Sequence, residues 1–92
     1  MLTTKFSNMF KKDYKRLQKR KYDMTALDDT IHLLSCGYPL PESYHDHPLI
    51  GKGFVGCREC HITPDWLLVY QIRELELILY LTRTGTHSDI FS

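Results

Sequence analysis

Three strand-like runs in the second half of the chain constrain the fold more than any other feature. They cover residues 54–62, 66–73 and 75–83, and each is rich in aliphatic or aromatic side chains. Only short turns join them, the first at Thr-Pro-Asp and the second near Arg-Glu. Parallel strands would need a crossover connection of a dozen or more residues, so these runs predict an antiparallel meander.

Two amphipathic stretches precede the strands and predict helices at residues 8–20 and 25–36. The first repeats apolar residues at helical spacing, namely Phe6, Phe10, Tyr14 and Leu17. The second does the same with Met24, Leu27, Ile31 and Leu34. With a short strand at residues 2–5, the pattern predicts an α+β fold in which two N-terminal helices pack on a small, mostly antiparallel sheet. The 92 residues suffice for one core, so residues 1–92 are expected to form a single domain.

Charge is distributed very unevenly along the chain. Residues 1–21 carry eight basic side chains and a single acidic one, Asp13, whereas the other 71 residues carry four basic and ten acidic side chains. On the first predicted helix, most of the basic residues share one face, and these are Lys11, Lys12, Lys15, Arg16 and Lys19. Such a face favours a polyanion such as RNA, or an acidic protein, as partner. A solvated face that only maintains solubility is the plainer alternative.

Membrane insertion and secretion are not expected. The longest apolar run is five residues, at 77–81, whereas a membrane span needs about 20. The N-terminus turns basic without the apolar segment of a secretory signal. We therefore expect a cytoplasmic protein whose three cysteines are reduced.

The sequence Cys-Arg-Glu-Cys-His at residues 57–61 matches the pattern for covalent haem attachment. All three methionines precede it, which leaves no downstream methionine as axial ligand. In a strand, Cys57 and Cys60 would point to opposite faces, which also disfavours a zinc site. We therefore expect no cofactor and no metal, with both cysteines packed as small apolar residues.

Histidine placement is more informative. His45 and His47 lie in a predicted loop at residues 38–53, His61 shares a strand face with Glu59, and His87 lies in a polar segment at residues 84–92. Asp65 and Arg83 stand at strand ends, where catalytic groups commonly gather. Imidazole, carboxylate and guanidinium groups form the set needed to cleave RNA without a metal, because RNA supplies its own 2′-hydroxyl nucleophile. The alternative is a set of unrelated surface histidines.

Three strings together extend this interpretation. They are Asp-His-Pro-Leu-Ile-Gly at residues 46–51, Cys-Arg-Glu-Cys-His-Ile-Thr-Pro-Asp-Trp-Leu-Leu-Val-Tyr at 57–70, and Arg-Thr-Gly-Thr-His-Ser-Asp-Ile-Phe at 83–91. In order and spacing the chain resembles the YafQ branch of the RelE/ParE toxin superfamily over nearly its whole length. The resemblance implies a bacterial type II toxin, an endoribonuclease that cuts messenger RNA in the ribosomal A site. It also implies a free monomer that a cognate antitoxin inhibits in a hetero-oligomer.

The same resemblance implies roles for individual residues. His47 corresponds to a general base and His87 to a general acid. His61 and Asp65 correspond to members of the catalytic network, and Arg83 to the phosphate-stabilising arginine. Phe91 corresponds to an aromatic side chain that stacks on a base or sugar.

The chain departs from related sequences at one place in this region. Residues 54–57 read Phe-Val-Gly-Cys where relatives commonly carry a basic or aromatic pair, so Arg58 is the RNA-contacting candidate at this edge. Trp66, which follows Asp65, is expected either at the site or in the core.

Two other functions fit the same family or fold. The first is a non-catalytic toxin like the ParE toxins, which act on DNA gyrase by binding alone. The second is an RNA-binding module without catalysis. Three histidines together with Arg83 favour the nuclease, because a binding module needs no proton-transfer set.

Overall fold

The computed structural model describes residues 1–51 and 53–91. Lys52, inside the predicted loop, and Ser92, at the end of the predicted polar segment, lie outside the described residues. The order of elements is β1 (Thr3–Phe6), α1 (Asn8–Lys19), α2 (Met24–Ser35), β2 (His47–Pro48), β3 (Arg58–Thr63), β4 (Trp66–Arg73), β5 (Ile78–Gly85) and α3 (His87–Phe91). Within the described part, no helix has the length and apolar character needed to cross a membrane.

Both predicted helices form within one residue of their expected bounds. Ser7 caps α1 by accepting a hydrogen bond from the Phe10 amide at 2.9 Å, and Asp23 caps α2 by accepting from the Thr25 amide at 3.1 Å. These side chains satisfy amides that have no partner inside the helix. α2 ends before Gly37, whose φ of 80° lies in the left-handed region that glycine adopts at low cost.

The five strands form one sheet in the order β1-β5-β4-β3-β2. β3, β4 and β5 pair antiparallel, which confirms the predicted meander. β1 pairs parallel with β5, so the sheet is mixed rather than mostly antiparallel as predicted. The parallel pair arises because α1 and α2 return the chain across the sheet between β1 and the meander. The α+β class is confirmed.

The two faces of the sheet carry different cores. One face packs against α1 and α2, with Phe10, Leu17, Leu27 and Leu34 in one buried cluster with strand residues such as Leu68 and Tyr70. The other face carries a smaller cluster made of Cys57, Leu67, Val69 and Ile90. Because Ile90 belongs to α3, the C-terminal helix covers this second face. We call the two sides the helix-pair face and the α3 face.

Three parts of the chain differ from the sequence prediction. Residues 54–57 form turns rather than the start of a strand, so β3 begins at Arg58. β5 begins at Ile78 rather than at residue 75, because Leu77 has a left-handed φ of 56° after a short helical turn. The polar C-terminal segment contains α3, which the sequence analysis did not predict.

Candidate active site

The pairing of β2 with β3 brings two of the predicted histidines to one carboxylate. His47 is the register partner of Glu59, and His61 lies two residues further along β3 on the same face. The Nε2 atoms of His47 and His61 lie 3.5 and 3.6 Å from Glu59 Oε1. Glu59 is only 7% exposed, so its carboxylate is largely shielded from water. Strand alternation predicts that Glu59 shares the face of His61, but the sequence gives no sign of its role.

A second contact of His47 shows which role its Nδ1 atom has. His47 Nδ1 lies 2.6 Å from the backbone carbonyl oxygen of His45. A carbonyl only accepts hydrogen bonds, so Nδ1 donates and carries the proton. Nε2 is the other ring nitrogen, and it faces Glu59, to which it donates a hydrogen bond only when it carries a proton. The His45 carbonyl orients the ring from Nδ1, and Glu59 lies where it can stabilise a proton taken up at Nε2, which suits His47 to act as a general base.

The loop that carries His47 is anchored on the helix-pair face. Asp46 accepts hydrogen bonds from Arg58 Nε at 3.2 Å and Arg58 Nη2 at 3.0 Å, and also from the Tyr70 hydroxyl. Neighbouring residues in an extended segment point to opposite sides, so anchoring Asp46 directs His47 toward the α3 face. Arg58 is thus engaged by Asp46, and the structure does not bring it to the histidine pair.

The strand register places Arg83 in the same row of the sheet as Glu59. Glu59 pairs with Val69, and Val69 pairs with Arg83, so these residues share the α3 face. The Arg83 guanidinium then extends past the edge of β5 to Asp13 on α1, with Nε to Oδ2 at 2.7 Å and Nη2 to Oδ1 at 3.2 Å. The Asp13 side chain has no exposed surface. Asp13 therefore fixes the orientation of Arg83, a role that sequence analysis did not assign to it.

His87 and Phe91 form a second group on the α3 face. Their ring centroids lie 4.8 Å apart, and Phe91 lies 5.4 Å from the ring of Phe54. β5 ends at Gly85, which shares a row with Leu67 and His61. Two strand spacings separate Gly85 from His61, about 10 Å. Phe54 belongs to this group, a position that the strand predicted at residues 54–62 does not indicate.

Two other predicted residues lie at the β3–β4 turn: Asp65 is exposed, and Trp66 is buried in the core. Asp65 is exposed in the turn and forms no hydrogen bond or ion pair with any residue that the structure describes. The predicted proximity of His61 and Asp65 therefore involves no direct contact in the structure. Trp66 is 2% exposed, donates from Nε1 to the Thr84 hydroxyl at 2.9 Å, and packs edge-on against Tyr22. Trp66 is a core residue.

The basic face of α1 consists of two kinds of residue. Lys11, Lys12, Lys15 and Lys19 are exposed. Arg16 instead forms ion pairs with Asp13 at 2.7 Å and with Asp89 at 3.4 Å. Two of the lysines, Lys11 and Lys15, also line a mainly apolar groove of about 660 Å³ between α1 and α2. The lysines are therefore available to a partner, whereas Arg16 belongs to an internal network.

The cysteines of the haem-like motif lie on opposite faces, as strand alternation predicts. Cys57 packs in the cluster of the α3 face and Cys60 in that of the helix-pair face. Burial raises the pKa of the Cys60 thiol to about 12, so it stays protonated and unreactive near neutral pH. Among residues 1–51 and 53–91, no three His, Cys, Asp or Glu side chains gather in a metal-binding geometry.

Comparison with known proteins places this mixed α+β sheet and its histidine-bearing face among the bacterial toxins of type II toxin–antitoxin systems. The family model described as bacterial toxin of type II toxin-antitoxin system, YafQ, matches residues 2–92. The chain belongs to the YafQ family.

Individual relatives agree with this placement over nearly their full lengths. The mRNA interferase toxin YafQ of Escherichia coli K12 is 41% identical over 87 residues, which cover 94% of this chain and 91% of the relative. The crystal structure of a metal-bound toxin from Helicobacter pylori has a TM-score of 0.91 at 45% identity, with 99% of this chain and 100% of that one covered. The toxin of the E. coli DinJ–YafQ complex has a TM-score of 0.89 at 39% identity, with both chains fully covered.

Proposed function

We propose that the protein is an mRNA interferase, an endoribonuclease that cleaves messenger RNA on the ribosome without a metal ion and is inhibited by a cognate antitoxin. The observation that carries the proposal is the shielded Glu59 carboxylate between His47 and His61, on the same sheet face as His87. The E. coli relative at 41% identity is an mRNA interferase by name, which supports the same activity here.

In the proposed reaction, His47 Nε2 removes the proton from the ribose 2′-hydroxyl, and the 2′-oxygen attacks the adjacent phosphorus. Glu59 stabilises the resulting imidazolium, and His61, two residues further along β3, contacts the same carboxylate. Arg83, oriented by Asp13, stabilises charge on the phosphorane, and His87 protonates the 5′-oxygen that leaves. The products are a 2′,3′-cyclic phosphate and a 5′-hydroxyl end.

Residues around His47 and His87 are proposed to position the substrate. Phe91, whose ring is tilted against the rings of His87 and Phe54 and is 36% exposed, offers a surface on which a splayed base can stack. Asp65 stays a predicted site residue, with an exposed carboxylate at the rim of the β3–β4 turn that ribose hydroxyls can reach. Arg58, at the start of β3 and paired with Asp46, stays a predicted RNA contact.

Replacing Glu59 by glutamine tests the carboxylate. We expect Glu59→Gln to lower the rate of message cleavage by a factor on the order of 10², because the amide cannot stabilise the imidazolium of His47. Cleavage is measured by mapping message ends in a reconstituted translation reaction, with Glu76→Gln, exposed in the turn before β5, as the matched control. Wild-type cleavage by a folded Glu59→Gln protein would contradict the role of the carboxylate.

The exposed lysines of α1 are proposed to contact ribosomal RNA phosphates. We expect replacement of Lys11, Lys12, Lys15 and Lys19 by glutamine to weaken ribosome binding and to flatten its salt dependence. Each lost phosphate contact lowers the slope of log K against log salt by about 0.7–0.9. Binding is measured by co-sedimentation over a salt titration, with Arg73→Gln, at the end of β4, as control. An unchanged slope would exclude these lysines as phosphate contacts.

An antitoxin partner is supported by two observations. The E. coli relative forms a complex with DinJ. The groove between α1 and α2 exposes apolar surface from Phe6, Tyr14 and Ile31 beside the ammonium groups of Lys11 and Lys15. Such a groove suits an amphipathic antitoxin segment that carries acidic residues along one side.

A further inference from the structure

The helix that carries His87 and Phe91 is too short to be stable by itself. α3 has five residues, whereas isolated helices below about 12–15 residues are marginal in water. A reciprocal cap starts it, because the Thr86 amide donates to Asp89 Oδ2 at 3.0 Å and the Asp89 amide donates to the Thr86 hydroxyl at 3.1 Å. Its placement on the sheet must come from contacts outside the helix.

Asp89 supplies the polar part of those contacts. Arg20, just after α1, donates to both carboxylate oxygens, from Nη1 at 2.8 Å and from Nη2 at 3.1 Å. Arg16 lies 3.4 Å from the same carboxylate, and Arg83 Nη2 donates to the Asp89 backbone carbonyl at 3.3 Å. The hydrogen bonds from Arg20 hold the pKa of Asp89 well below its usual range.

The end of β5 is also shaped to admit this carboxylate. Gly85 has a φ of 152°, and a Cβ added to it would lie 3.0 Å from both Cβ and Oδ2 of Asp89. Real Cβ atoms show such short contacts only when a neighbour gives way. Glycine at position 85 therefore allows Asp89 its close approach to the strand.

Helix geometry connects Asp89 to the catalytic face of α3. Residues four apart share a helix face, so His87 and Phe91 point together, whereas Asp89, two residues from each, points away from them. Ile90 packs into the sheet and Phe91 contacts Phe54. With Asp89 held by α1, these contacts fix the rotation of α3 about its own axis.

We propose that Asp89 is a positioning residue for the cleavage reaction, which holds α3 through Arg20 so that His87 and Phe91 face the pair His47 and His61. This inference rests on the proposed function, in which His87 is the acid. It also divides the cationic residues near α1 by role. Arg16 and Arg20 act through Asp89, whereas the exposed lysines of α1 contact ribosomal RNA.

The test compares Asp89→Asn with Asp89→Glu and with Arg20→Gln. We expect Asp89→Asn and Arg20→Gln each to slow message cleavage by about 10- to 100-fold, since misplacement of an acid by about 1 Å costs that much. Asp89→Glu, which keeps the charge and the cap, should recover most of the rate. The double variant should be no slower than the slower single one, because both substitutions remove the same contact. Asp29→Asn, exposed on α2, is the matched control.

A measurement independent of cleavage separates this inference from the proposed function. Nuclear Overhauser contacts between the Phe54 and Phe91 rings should weaken in Asp89→Asn and Arg20→Gln, with the melting temperature and ribosome binding close to wild type. If wild type does not cleave message but the ring contacts depend on Asp89, the proposed function fails, whereas the role of Asp89 in holding α3 stands. Wild-type cleavage and wild-type ring contacts in both variants would overturn the inference. If Asp89→Asn does not fold, Arg20→Gln alone decides between these outcomes.

Discussion

His87→Ala is expected to lower the rate of message cleavage by about 10²–10⁴-fold, the range that a positioned general acid contributes. The leaving 5′-oxygen is a poor leaving group until it is protonated, and alanine offers no proton. The residual rate would come from positioning and from stabilisation of phosphorane charge by Arg83.

The surroundings of His87 indicate that this substitution leaves the fold and antitoxin binding intact. His87 is exposed at the start of α3, and its side chain forms no hydrogen bond or ion pair within the described part of the chain. Its contact with Phe91 is one ring against another, so we expect the free energy of unfolding to change by less than about 1 kcal/mol. The groove between α1 and α2 lies on the other side of the sheet from α3, so antitoxin binding should persist.

The measurement uses single-turnover cleavage on programmed ribosomes, which separates the chemical step from toxin release. His32→Ala, an exposed histidine on α2, is the control for loss of an imidazole. Cleavage at the wild-type rate by a folded His87→Ala protein that binds ribosomes normally would exclude His87 as the acid. If ribosome binding fell while the chemical rate persisted, His87 would be a binding residue.

The elements predicted well from sequence are those whose signal is local. α1 and α2 carry an apolar stripe over 12 residues each together with capping side chains, and the meander follows from short turns. β1 is recognisable as a strand, but its parallel partner β5 lies more than 70 residues away and leaves no local trace. α3 has one buried side chain, Ile90, and is stabilised by Asp89 and Arg20, whose interaction no periodicity reveals.

In the candidate site, too, contacts that follow from local sequence could be predicted, and contacts between distant residues could not. Alternation along a strand puts Glu59 and His61 on one face, so their proximity could be predicted from the sequence. The 3.5 Å approach of His47 depends on the pairing of a two-residue strand, β2, and on the left-handed φ of 48° at His45. The role of Asp13 could not be predicted, because its partner Arg83 is 70 positions further along the chain. The one available signal was that Asp13 is the single acid among eight basic residues.

Asp13→Ala is expected to destabilise the fold by about 3–5 kcal/mol, the usual cost of removing one partner from a buried ion pair. Asp13 is 1% exposed and accepts from Arg83, from Arg16 and from the Thr84 amide at 3.2 Å. Beyond Leu81, β5 no longer pairs with β1, so Asp13 supplies the acceptor that a neighbouring strand would otherwise provide. Alanine leaves that amide and two guanidinium groups without their carboxylate.

A loss of this size is a large share of the 5–15 kcal/mol that stabilises a typical domain, and it should lower the melting temperature by more than about 10 °C. Chemical denaturation of Asp13→Ala measures it, with Asp29→Ala as the exposed helical control expected to change stability by less than about 0.5 kcal/mol. Arg83→Met completes a double-mutant cycle. Because the two residues are in direct contact, the double variant should be less destabilised than the sum of the singles by about 1 kcal/mol or more. Additive losses would mean that Asp13 acts on the β5 edge through Thr84 and not by holding Arg83, and the orientation of Arg83 would then need another cause.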